Sequence, residues 1–166
     1  INVSNAANFA PQWSQDLAFF HQWVHSAANG GPWASPLILE PQGFFEQVHT
    51  HMVLPFVVAL YWIFPQQSLL LVLHSFFVCL CLWPLFRLAE HIAGVRYAVL
   101  CVLALVAFGP FQSVAVADFR PLSLFLPGFI GVWASAYRGS MLGLVMWGCV
   151  ALMDRQEAAY LLVSSG

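Results

Sequence analysis

Scarcity of charge constrains this chain more than any other feature. Only 12 of its 166 residues are acidic or basic (five Arg, seven Asp or Glu), which is 7%, against about 25% in an ordinary soluble domain. So few charges cannot cover a water-facing surface, and 61% of the residues are hydrophobic. Lipid is therefore the expected solvent for much of the chain. In lipid every backbone N–H and C=O must be satisfied internally, so the expected fold class is an all-α integral membrane protein. A net charge of −2 argues against a nucleic-acid partner, which would call for a basic stripe. It also leaves no polybasic patch for anionic lipid.

The apolar residues divide the chain in two. Residues 1–51 are rich in Asn, Gln, Pro and Gly, and hold three of the seven Trp residues. Ser14 is a candidate helix cap, with Asp16 in the first turn where the helix dipole favours negative charge. Leu17, Phe20, Val24 and Ala28 follow at helical spacing, and Asn29-Gly30-Gly31-Pro32 ends the pattern. This predicts an amphipathic helix lying in the membrane interface, within an outer-face loop.

From residue 52 to 166 the expectation is a bundle of four to five membrane segments. The apolar runs are Met52–Phe64 (13 residues), Gln66–Phe86 (21), Tyr97–Ala117 (21), Pro121–Tyr137 (17) and Gly139–Met153 (15). A bilayer core needs roughly 20 helical residues. The second and third runs reach that length, the fourth and fifth need flanking residues, and the first is short enough to be re-entrant. The chain opens on Ile1 and closes on Ser164-Ser165-Gly166 after an apolar stretch, so a fragment of a longer protein is expected.

Arg87 and Arg96 flank the turn after the second run, and Arg138 follows the fourth. Positive charge marks the cytoplasmic side. On that rule the opposite, outer face collects Asp16, Glu40, Glu46, Asp118, Asp154 and Glu157. Carboxylates gathered on one face suit a divalent cation or a general base. The plainer alternative is helix-end ion pairing, Asp118 with Arg120 and Asp154 or Glu157 with Arg155.

Other chemistry-bearing residues are read more cautiously. His49-Thr50-His51 stands where the polar loop meets the first apolar run, suited to hydrogen-bonding water or a phosphate. His21 and His25, four apart, would share a helix face, without the Glu of a zinc-protease motif. His74 lies mid-run, either as an axial ligand for a haem or pigment or, the favoured reading, bonded to a neighbouring helix. Cys79, Cys81, Cys101 and Cys149 sit in apolar runs and read as small buried hydrophobes. Pro84, Pro110 and Pro127 predict kinked or broken helices.

The order of several short motifs carries a resemblance. Gln15-Asp16-Leu17-Ala18-Phe19-Phe20-His21-Gln22-Trp23 and then Asn29-Gly30-Gly31 open it. His49-Thr50-His51 before Leu54-Pro55 comes next, followed by Pro84-Leu85-Phe86-Arg87-Leu88-Ala89. Asp118-Phe119-Arg120-Pro121 and Arg155-Gln156-Glu157 complete it. Over about residues 13–160 the chain resembles the bacterial family of predicted membrane proteins of unknown function numbered 2079. That family is similar to the GT-C class of polyprenyl-phosphate-dependent glycosyltransferases. The chain departs from it at Arg120, where Asp-Phe-His is common, and at Gln156, which separates Arg155 from Glu157.

The resemblance implies a multi-pass protein of the cytoplasmic membrane that transfers a sugar from a polyprenyl phosphate at the outer face. It implies Asp16 as catalytic base or ligand of a divalent cation (Mg or Mn), and Asp118 as a second acidic group near the donor phosphate. His49, His51, Arg120 and Glu157 would contact substrate. The alternative is a non-catalytic accessory subunit packed against other subunits of a membrane complex. A transporter ranks lower, since no inverted repeat is apparent.

Overall fold

The computed structural model describes residues 14–33 and 51–153, apart from the side chains of Ser14, Gln15 and Leu122. Expectations that fall on Glu40, Glu46, His49, Asp154, Arg155 and Glu157 lie outside the described residues. Every element among the described residues is helical. In order they are α1 (Ser14–Ala28), α2 (Leu54–Ile63), α3 (Gln67–Leu80), α4 (Leu82–Ala93), α5 (Val95–Ala107) and α6 (Gly109–Ala115). A 3₁₀ turn (Pro121–Leu124) leads into α7 (Phe125–Tyr137), and α8 (Met141–Leu152) closes the series.

Two prolines explain how the long apolar runs are broken. Pro84 has no N–H for the carbonyl of Leu80, so the hydrogen-bond ladder pauses at Cys81. Cys81 keeps helical angles (φ −63°, ψ −22°), and α3 and α4 continue as one rod of 27 residues, Gln67–Ala93. That rod is long and apolar enough to cross a bilayer. It runs past Arg87, and the turn expected between Arg87 and Arg96 falls at Gly94 (φ 86°). Pro110 has the stronger effect. Phe108 turns extended and α5 and α6 meet at a 69° bend. The Val106 carbonyl four residues before Pro110 accepts instead from the Gln112 side chain at 2.8 Å. Pro127, in the first turn of α7 where no N–H is required, leaves that helix unbroken. α2, α7 and α8 are apolar but shorter, at 10–13 residues.

The 3₁₀ turn packs on α3 and α7 packs on α4, so α7 runs beside the rod in the same direction, and α5 and α8 return. One end of the bundle therefore holds the start of α3, the 115–121 segment and the end of α8, where Val53 N–H donates to the Met153 carbonyl at 3.1 Å. The other end holds the Gly94 turn and the Arg138–Gly139 turn.

The main core sits at the first of these ends. Leu17, Phe20, Trp23 and Val24 of α1 close on Leu54, Val57, Val58 and Tyr61 of α2, with Leu70 and Leu71 of α3 and Phe119 and Leu124 beneath. The apolar stripe of α1 packs on protein, where the more apolar α2 offers it a partner. Trp62 Nε1–H donates to the last carbonyl of α1, Ala28, at 2.6 Å.

α7 and α8 pack by a different rule, through small residues that let the backbones approach. A Cβ placed on Gly128 would lie 2.6 Å from the Ala151 nitrogen, and one on Gly131 would enter the Trp147 ring. Gly128→Ala is expected to destabilise the hairpin by about 1–3 kcal/mol through overpacking. Gly148→Ala, where a Cβ meets nothing within 4 Å, is expected to be neutral or stabilising by about 0.5–1 kcal/mol. Reversible denaturation of the full-length protein in detergent, followed by circular dichroism, checks both.

Candidate functional site

The first turn of α1 and the segment after α6 bring together three of the expected site residues. Arg120 donates from Nε and from Nη2 to the same oxygen, Oδ2 of Asp16, each at 2.8 Å, across 104 positions of sequence. The pair is open to solvent, with side chains 60% and 45% exposed. Such a pair contributes little stability, about 0–1 kcal/mol. Asp118 is only 7% exposed. Its carboxylate lies near the backbone N–H of Leu17, which favours its charged form. Between the two polar contacts Phe119 is fully buried, edge-on to Phe20 with ring centres 5.5 Å apart.

Burial pushes the Asp118 carboxyl above its usual range, and the nearby negative charge of Asp16 pushes it further. Arg120 and the Leu17 N–H act the other way without cancelling the rise.

The segment that carries these residues is itself anchored to the long rod. His74 Nε2–H donates to the Val114 carbonyl at 2.9 Å, and His74 Nδ1 accepts the Arg120 backbone N–H at 3.3 Å. Ser75 Oγ–H donates to the Ala115 carbonyl at 2.7 Å, and Ser123 Oγ–H to the Arg120 carbonyl at 2.8 Å. With both ring nitrogens engaged, His74 acts as the bonded histidine favoured from sequence, not as an axial ligand.

Of the remaining expectations, His51 is buried at the edge of this core, its ring 5.9 Å from that of Phe20. His49 and Glu157 lie outside the described residues. The ion pair proposed between neighbours Asp118 and Arg120 gives way to the longer-range pair with Asp16. His21 and His25 do share a face of α1, with rings stacked 6.1 Å apart. Sequence reasoning misses Ser75 and the approach of Asp118 to the first turns of α1. A polar His-Ser pair inside an apolar run was the available signal for the first. The second joins distant segments and has no local signal.

Asp16 is engaged by Arg120, which a divalent cation on that carboxylate would displace. The arrangement suits a negatively charged ligand near Arg120 and a proton acceptor at Asp118.

The chain matches the family described as "Predicted membrane protein (DUF2079)" over residues 14–165. It belongs to that family. Comparisons with curated proteins and with solved structures gave no match.

The raised proton affinity of Asp118 has a thermodynamic sign. The folded state binds this proton more tightly than the unfolded chain does, so stability falls as pH rises from the ordinary carboxylate range through the raised value. Asp118→Asn keeps an acceptor oxygen for Leu17 and removes the buried charge. The variant is expected to melt at a higher temperature than the parent at neutral pH. The difference should vanish as pH falls to the ordinary carboxylate range. Paired thermal melts across pH check this.

Proposed function

We propose that the chain is a GT-C-like, multi-pass protein of the cytoplasmic membrane that transfers a sugar from a lipid-phosphate carrier at the outer face. The observation that carries this reading is the convergence of Asp16, Asp118 and Arg120 from elements 104 positions apart, with Asp118 buried and its proton affinity raised. A carboxylate tuned towards neutrality is the group that general-base catalysis asks for. Arg96 and Arg138 at the opposite end of the bundle support the expected orientation. In that orientation α3–α4 is one span, bent α5–α6 a second, and α7 and α8 a hairpin completing four.

The roles follow from the contacts. Asp118 takes the proton of the acceptor hydroxyl as its oxygen forms a bond to the anomeric carbon and the bond from that carbon to the phosphate oxygen breaks. Arg120 steadies the charge left on the phosphate, using donors not directed at Asp16. Asp16, expected as the base, instead aims the guanidinium. His51, His49 and Glu157 keep the substrate-contacting role that the resemblance implies.

A second reading, a non-catalytic subunit of a larger complex, has one observation in its favour. Asp118, Phe119 and Arg120 together suffice as a structural clamp on α1.

Reconstitution of the full-length protein in liposomes with a polyprenyl-phosphate sugar and a membrane-derived acceptor separates the two. Transfer is expected, reduced about 100-fold or more in Asp118→Asn, while Arg120→Ala raises KM for the donor. Transfer unaffected by Asp118→Asn overturns the assignment of the base. No transfer from a folded protein that co-purifies with partner subunits favours the second reading.

A further inference from the structure

One turn beyond the acidic pair, α1 presents a separate cluster that the proposed reaction does not use. His21 and His25 are four residues apart, so their side chains leave the same face of the helix. Tyr61 of α2 reaches the same place, its hydroxyl 3.0 Å from His21 Nε2. The three ring centres form a nearly equilateral triangle, 6.1 Å from His21 to His25, 5.7 Å from His21 to Tyr61 and 6.2 Å from His25 to Tyr61. We propose that His21, His25 and Tyr61 bind a divalent transition-metal ion of the zinc and copper class, which clasps α1 to α2.

The Tyr61 oxygen and His21 Nε2, 3.0 Å apart, have the spacing of two neighbouring ligands on one ion about 2.0–2.1 Å from each, and the His25 ring lies beside them. Two imidazoles and a phenol oxygen supply three ligands, and water completes a tetrahedral set. Nitrogen donors select zinc, copper or nickel over magnesium and calcium, which prefer oxygen. The site is thus chemically distinct from the Asp16–Asp118 pair.

His25 is exposed, which provides an entry path. On binding, the Tyr61 hydroxyl proton and the hydrogen bond to His21 are exchanged for metal–ligand bonds, the proton going to solvent.

The test is titration of the full-length protein in detergent with Zn²⁺ by calorimetry. One ion per chain is expected, with affinity at least tenfold weaker in His25→Ala, a substitution at an exposed position that should not unfold the chain. The His49→Ala/His51→Ala double variant should bind as the parent does. Cu²⁺ then serves as a spectroscopic probe: a phenolate-to-copper charge-transfer band is expected in the parent and absent in Tyr61→Phe. Zn²⁺ binding that is missing in the parent, unchanged in His25→Ala or lost in the His49/His51 variant overturns the proposal. A parent without the copper band overturns the three-ligand site.

Discussion

The first turns of α1 are held by one segment, Asp118-Phe119-Arg120, alongside the packing of that helix on α2. The Asp118 carboxylate lies near the Leu17 N–H, Phe119 fills the space beside Phe20, and Arg120 holds Asp16. The three contacts differ in kind. The aromatic contact fills the core, and the fork of Arg120 orients a side chain while adding little stability. His74 and Ser75 tie the same segment to the long α3–α4 rod. The site is therefore registered against the most regular element of the fold, through hydrogen bonds that a buried backbone needs in any case.

Electrostatics at this end are deliberately unbalanced. Two carboxylates lie close together, one of them buried, and one guanidinium is shared unequally between them. Among the described residues the Arg120 guanidinium bonds to Asp16, and its charge does not restore Asp118 to the ordinary carboxylate range. Arginine stands where the resemblance leads one to expect histidine, and this makes the local positive charge independent of pH. A histidine there would make the local charge depend on pH.

Patterns with a fixed local period could be read from the sequence. The stripe Leu17, Phe20, Val24 marked the buried face of α1, and the apolar runs marked the helices of the bundle. The break at Pro110 was also legible, since a ring without N–H interrupts any ladder. What such patterns do not reveal is the partner. The stripe of α1 was assigned to lipid because an amphipathic face looks the same whether its cover is acyl chain or α2. Nor does a run of apolar residues show where helix ends: the rod continues through Arg87 and Glu90, which pair with each other at 3.3 Å and so tolerate a helical setting. At the site, shared topology placed Asp16 and Asp118 at one end, but the pairing of Asp16 with Arg120 required the tertiary structure.

Two physical regimes coexist within the chain, and they divide the fold. At the site end, α1 and α2 are joined by large side chains, Trp23, Phe20, Tyr61 and Phe119 among them, in the manner of a core driven together by water. Along the bundle, α7 and α8 meet through Gly128, Gly131 and Gly143, while α5 buries only Ala98 and turns Tyr97, Leu100 and Leu103 outward. That is the packing expected where apolar side chains gain nothing from leaving their solvent and contact must come from close backbone approach. The boundary between the two regimes falls at the His74–Arg120 contact. A charged group just beyond it has water on one side and a low-dielectric body on the other. This placement accounts for an Arg120–Asp16 pair that remains exposed while Asp118, one residue pair away, is buried enough to hold its proton more tightly.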